Sequence, residues 1–179
     1  MKFATIITIL AAISGAYSMV IKRDTPVKKV IIDLTAALGE LDATANDFDG
    51  NIQPVVDAAD HVISLIGSGQ STAEGAASIE FFDAVALLEP VKELDDHAKT
   101  FFNDVKDRVD DVRKAKQCGV IREKLGIVNT TGQKLVDTIL NKVTSAQAQA
   151  QAKPYVDDIK SLLDKSQDLF VEGNCVNAS

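Results

Sequence analysis

Two cysteines, two histidines and a few short polar motifs are the residues of this chain whose types and spacing could carry chemistry. Cys118 and Cys175 could bridge, ligate a metal or act as thiols. A metal site would need more ligands than two cysteines and two distant histidines supply. His61 and His97 could serve as proton carriers, but their neighbours are Asp60 and the pair Asp95-Asp96. Such clustering describes a solvated helix face, and the pairs Asp110-Asp111 and Asp157-Asp158 read the same way. Gly67-Ser68-Gly69-Gln70-Ser71 lacks the spacing of a nucleophile elbow and follows no strand, so it reads as a flexible loop, with Gly75 beyond it. Asp47-Phe48-Asp49-Gly50 has the flavour of a calcium loop. In that register Ala45 and Val56 occupy the end positions where ligands are required, so it reads as a helix stop. Asn129-Thr130-Thr131 is an N-glycosylation sequon, and Asn177-Ala178-Ser179 a second, weaker one. No cofactor motif and no catalytic constellation emerges, and the chain reads as a non-enzyme.

The N-terminus sets the compartment. Lys2 precedes an apolar run from Phe3 to Ile13, shorter than the roughly 20 residues a bilayer span needs. Ser14-Gly15-Ala16 then places small residues where a signal peptidase cuts, which predicts a signal peptide over 1–16. A short propeptide over 17–23 ends in the dibasic pair Lys22-Arg23, and the mature domain is expected to span 24–179. Losing Lys2, Lys22 and Arg23 reduces 19 basic residues to 16 against 26 acidic ones. So acidic a chain excludes nucleic acid as an expected partner. No apolar tail predicts a transmembrane or lipid anchor. The expected location is extracellular or loosely wall-associated.

Apolar periodicity supplies the elements. Thr25-Pro26 opens a helix with a cap and a proline at the tolerated first position. Val27, Ile31, Leu34, Leu38, Leu41, Ala45 and Phe48 follow at spacings of four and three. A second helix is expected from Ile52 to Ile66. A third runs from Ser78 to Val112 with its stripe in phase across Pro90, which predicts one long kinked helix. A fourth spans Cys118 to Val143, and a fifth runs from Ser145 to Gly173, Pro154 included. The expected fold is all-α, a single-domain bundle of about five amphipathic helices.

If helices four and five pack antiparallel over similar lengths, Cys118 and Cys175 return to the same end and can form a disulfide, which an oxidising compartment permits. Free thiols or an intermolecular bridge are the alternatives. The stripes are built mainly from Val, Leu, Ile and Ala. They can simply fill a core, leave an elongated apolar cavity, or open onto a hydrophobic surface. Stripe positions expected to line such a cavity are Leu34, Leu38, Leu41, Ile63, Ile66, Leu88, Leu94, Phe101, Leu125, Ile139 and Leu162.

The order of features resembles a known family. Val20-Ile21-Lys22-Arg23-Asp24 before a long amphipathic helix, the stretch Phe82 to Leu94 around Pro90, Cys118-Gly119-Val120-Ile121-Arg122-Glu123-Lys124-Leu125, and Leu140-Asn141-Lys142-Val143 are together similar to the fungal hydrophobic surface-binding protein A and cell wall galactomannoprotein family. Thr144 stands where many relatives carry proline. The resemblance implies a secreted helical bundle that binds a long-chain fatty acid or a hydrophobic surface. Its further implied partners are secreted hydrolases or cell wall polysaccharide. The alternative it leaves is a structural, antigenic wall mannoprotein with a filled core and no lipid ligand. Larger wall members add a Ser/Thr-rich stalk and an anchor; this chain shows neither, which favours release.

Overall fold

A computed structural model describes residues 25–179, so the expected leader, dibasic site and mature start at Asp24 lie outside the described residues. The helical segments are α1 (Pro26–Asn46), α2 (Gln53–Gly75), α3 (Phe81–Val85), α4 (Leu88–Asp107), α5 (Val109–Lys114), α6 (Cys118–Lys142) and α7 (Ala146–Asp168). The Thr25 hydroxyl accepts from Lys28 N–H at 3.2 Å and starts α1 with Pro26 behind it. Ser145 caps α7 in the same way, accepting from Ala148 N–H at 3.3 Å; each bond satisfies an otherwise orphaned donor. After α1, Gly50 takes a left-handed φ of 107°. Asp49 and Asn51 side chains accept from Asn51 and Gln53 N–H at 3.0 and 3.1 Å, so Asp47 to Gly50 is the expected helix stop.

The long helices close into a ring. α1 packs on α2, α2 on α6, α6 on α7, α7 on α4, and α4 back on α1. With the short connections, this order makes α1, α4 and α7 run one way and α2 and α6 the other. The two ends of the ring are pinned differently. At one, Cys118 and Cys175 form the expected disulfide, 5.6 Å between Cα atoms. Arg122 there donates to the carbonyls of Phe170 and Cys175 at 2.6 and 3.0 Å, and Cys118 N–H donates to the Asn177 side chain at 3.1 Å. At the other end, Ile79 and Val143 form an isolated parallel bridge. Ile79 N–H donates to Lys142 O at 2.7 Å, and Thr144 N–H to Ile79 O at 3.0 Å. Lys142 Nζ also donates to the carbonyls of Glu74 and Ala76, tying off the C-terminus of α2.

Two expectations are corrected. The third helix is broken rather than kinked: α3 ends at Val85, Ala86 and Leu87 form the break, and α4 starts at Leu88. Pro90 therefore sits in a first helical turn, where its missing N–H costs little. A second short break at Arg108 separates α4 from α5. The first of these segments, α3, also starts later than Ser78, after the cap position Glu80.

The glycine-rich stretch is not a loop, since α2 continues helical to Gly75. Its polar residues satisfy themselves within the helix, Thr72 Oγ1 donating to Ser68 O at 2.9 Å and Ser71 Oγ to Gly67 O at 3.3 Å. Gly69 is there because α1 and α6 crowd it. A Cβ at that position would stand 2.6 Å from Val30 Cγ1 and 3.4 Å from Leu135 Cδ2, whereas Gly67 has nothing within 4 Å. The same substitution should thus have opposite signs at the two glycines. In urea denaturation, Gly67→Ala is expected to stabilise by up to about 1 kcal/mol through helix propensity. Gly69→Ala should lose about 1 kcal/mol net, because overpacking exceeds that gain. Equal shifts would show that close approach is not what selects Gly69.

Candidate functional site

The centre of the ring is hollow. A cavity of about 180 Å³ is lined from all five long helices, by Ile31, Leu34, Leu38, Leu41 and Ala45 of α1, Val55, Ala59, Val62 and Ile66 of α2, and Leu94, Ala98, Phe101 and Val105 of α4. From the other side come Ile121, Leu125, Val128, Gly132, Leu135, Val136 and Ile139 of α6, with Ile159, Leu162, Leu163 and Ser166 of α7. Along α6 the lining from Ile121 to Ile139 covers roughly 27 Å at 1.5 Å per residue. A predominantly apolar void of this order can accept apolar guests.

Nine of the eleven stripe residues expected at such a cavity do line it: Leu34, Leu38, Leu41, Ile66, Leu94, Phe101, Leu125, Ile139 and Leu162. Ile63 and Leu88 do not; each is half-buried elsewhere. On α2 the inward phase is carried by Val55, Ala59, Val62 and Ile66, which leaves Ile63 one position out of it. Leu88 falls at the α3–α4 break, whose apolar cluster takes Leu87 instead.

The lining also contains Arg108, Lys124 and Ser166, which reading for apolar periodicity passed over. Lys124 and Ser166 hold stripe phase, three residues after Ile121 and four after Leu162, so their spacing was a usable signal. Lys124 Nζ pairs with Asp60 at 2.6 Å, the lysine side chain 21% exposed and the aspartate 52%. Arg108 donates to Asn46 O and lies 3.6 Å from Asp111. Ser166 is only 6% exposed.

The other polar candidates divide between the seams of the ring and its exposed surface. Asp95, expected on a solvated face, is instead completely buried. Its Oδ2 accepts from Lys99 at 2.6 Å, and Lys99 also reaches Asp158 on α7 at 3.1 Å. Hydrogen bonds to Asp95 and Asp158 hold the Lys99 ammonium above the ordinary lysine range, while Asp95 Oδ1 has no partner. His61 is exposed, 3.6 Å from Glu40, and exposed His97 lies against Gly39. Asp157 and Asp110 are exposed as expected.

The sequon asparagine is also displaced from its expected surface position. Asn129 is 8% exposed, and its Nδ2 donates to Asp164 at 3.1 Å and to Gln167 across the α6–α7 seam. A glycan on that nitrogen would break both bonds and part the seam. Among the described residues no three His, Cys, Asp or Glu converge to hold a metal ion. No described helix is long and apolar enough to cross a membrane.

Comparison with known proteins agrees with this architecture. The family model described as hydrophobic surface binding protein A matches residues 25–141. Ligand binding domain 1 of the Penicillium marneffei MP1 protein, solved with arachidonic acids, superposes with a TM-score of 0.78 at 16% identity, covering 83% of this chain and 99% of that one. Domain 2 of the same protein, complexed with multiple arachidonic acids, gives 0.78 at 20% identity, covering 84% and 98%. AFMP4P in complex with palmitic acid gives 0.74 at 13% identity, covering 81% and 97%. No curated protein matches the chain in sequence.

One seam carries an electrostatic penalty that can be measured. Asp42 of α1 is raised above the ordinary carboxylate range, first by burial and then by Asp104 of α4, with His97 opposing. A raised folded pKa means that the folded state binds more protons than the unfolded one, so stability falls as pH rises through that range. Asp42→Asn is therefore expected to raise the urea midpoint at pH 7. The difference should shrink as pH falls to the ordinary aspartate value of 3.8. An advantage that did not depend on pH would remove the charge explanation.

Proposed function

The chain belongs to the hydrophobic surface binding protein A family, and we propose that it is a secreted, non-catalytic carrier that takes a long-chain fatty acid into the centre of its helical ring. The observation that carries this reading is the elongated apolar cavity, lined from all five long helices. A protein of this size that needed only stability would gain by filling such a space, since cavity surface costs stability. Solved structures of the same fold hold arachidonic and palmitic acids. On this reading Leu34, Leu38, Leu41, Ile66, Leu94, Phe101, Leu125, Ile139 and Leu162 contact the acyl chain. Residues 1–16 serve as the export signal, 17–23 as a propeptide, and the mature protein starts at Asp24. The alternative of a filled, ligand-free wall mannoprotein is disfavoured by the same cavity.

Adsorption to hydrophobic surfaces is a second reading with its own observation. Phe82 on α3 is 59% exposed, and Val85 one turn later 39%, an apolar pair at the end of the ring away from the disulfide. If this pair makes the contact, Phe82→Ser should reduce partitioning onto polystyrene beads and leave fatty-acid uptake intact. Unchanged partitioning would clear α3 of that role.

The carrier reading is tested by native mass spectrometry of the delipidated protein with added palmitate, which should give a 1:1 adduct. Ala98 lines the middle of α4, so Ala98→Phe places a ring in the path of the chain. Uptake should then weaken by at least about tenfold, the equivalent of roughly 1.4 kcal/mol, while the far-ultraviolet circular dichroism stays helical. Absence of any adduct with the parent protein would reject internal lipid binding.

A further inference from the structure

The two end walls of the cavity are built differently. Toward the Ile79–Val143 bridge the wall is shared among several buried side chains, Val27, Ile79, Ala84 and Leu87 among them. Toward the disulfide one side chain dominates. Phe170 is the largest fully buried side chain among the described residues, 1% exposed, and it lines the cavity. It lies beyond the end of α7 at Asp168, yet it keeps that helix's inward phase, four positions after Ser166 and eight after Leu162. Its buried cluster draws Val105 from α4, Val112 from α5 and Leu125 from α6, with Phe48 from the turn after α1 packed against it. α1 does not neighbour α7 in the ring, so this cluster spans the mouth. From this placement we infer that Phe170 is the end stop of the cavity and sets the longest acyl chain it admits, with the disulfide-bonded strap that follows α7 as the device that holds it there. The inference rests on the carrier reading and adds chain-length specificity.

What keeps Phe170 in place is the backbone around it. The chain turns back after α7, with Asn174 and Cys175 N–H both donating to Val171 O at 2.9 and 3.0 Å. Arg122 of α6 donates to Phe170 O at 2.6 Å and to Cys175 O at 3.0 Å. Arg113 donates to Asn174 O, and Ala178 N–H donates to Arg113 O at 3.0 Å. Cys118–Cys175 then closes the strap covalently. Neither cysteine lines the cavity, so the bridge acts on it only through the position of Phe170. Each methylene that enters an apolar cavity raises affinity roughly fourfold. That gain ends where the chain meets a wall that does not yield, because overpacking costs more than one methylene returns. A side chain whose backbone is tied by a disulfide and by two arginines is such a wall.

The test is a series of saturated fatty acids from laurate to lignocerate, followed by displacement of a fluorescent fatty acid. In the parent protein affinity should rise with chain length and then stop rising at a break length. Interiors pack at one density, so the six phenyl carbons removed in Phe170→Ala make room for roughly two to four chain carbons, and the break should move out by that much. At the first length the parent disfavours, Phe170→Ala should bind at least about tenfold more tightly than the parent. Phe170→Leu should move the break by less, and it decides the matter if Phe170→Ala does not fold. Cys118→Ala/Cys175→Ala leaves the lining untouched and should blur the break, so that the longest acids gain on palmitate. A break that stays at the parental length in the Phe170 variants, or an equal loss at every length, would overturn the end stop while the carrier reading stands. A break unmoved in the cysteine variant alone would strip the strap of its part. If the parent binds no acid of the series, the carrier reading fails and the end stop with it.

Discussion

A closed ring of five helices lined by slim side chains leaves its own centre unfilled, and the rest of this structure answers to that constraint. Packed helices keep their axes about 8–10 Å apart, and a helix with its side chains is about 10–12 Å across. In a regular pentagon with such edges each axis stands roughly 8 Å from the centre. The side chains reach inward by about 5–6 Å and leave a channel about 2–3 Å in radius, the girth of an extended alkyl chain. Slim Ala, Val, Ile and Leu residues dominate the lining, so the channel stays open; large aromatics at those positions would plug it. The three phenylalanines of the lining, Phe48, Phe101 and Phe170, lie where the void meets the cluster around Cys118 and Cys175.

Closure also has to be held, because an empty centre removes the mutual contacts that make an ordinary bundle core cohesive. At one end covalent chemistry holds it. Cys118–Cys175 joins residues 57 apart in sequence, and a loop of that size carries about 4 kcal/mol in the chain-entropy model. At the other end the backbone does it through the Ile79–Val143 bridge and the Lys142 ammonium on the last carbonyls of α2. α7 lies beyond residue 141, where the family match ends, yet without its packing on α4 and α6 the ring would be an open trough.

The stripes made much of this legible in advance, because an inward-facing arc obeys helical periodicity whatever the partner is. Leu34, Leu38 and Leu41 could be placed from α1 alone. What the stripes hid were the seams. In a ring each helix buries two flanks as well as its inner arc, and the flanks can be polar. Asp95, Asn129, Thr35 and Gly69 are all buried, and none belongs to an apolar stripe. Asp95 looks solvated beside Asp96 until Lys99 and Asp158 are known to meet it. Gly69 looks like linker until Val30 and Leu135 arrive from two other helices. Both depend on residues far away in sequence, which a window of ten or fifteen positions does not contain.

The seams also separate the two ways in which such a bundle could meet apolar matter. Spreading on a surface requires one seam to part, and the seams differ in what holds them. α2–α6 is joined by Lys124–Asp60 and by Gln70–Thr138. α4–α7 is joined by Lys99–Asp158, and α6–α7 by Lys160–Asp137 and the Asn129 cluster. α1–α2 continues through a short turn and the Gly69 approach. At α1–α4, Asp42 and Asp104 bring two carboxylates together, with Asn46 donating to Asp104 at 2.8 Å. These two helices are not consecutive, and the disulfide does not tie them to each other. Like charge across a seam weakens it in proportion to how far both groups are ionised. Asn46 offsets that repulsion, because its amide donates to Asp104 and its carbonyl accepts from Arg108 just beyond α4, so the seam stays joined at its end.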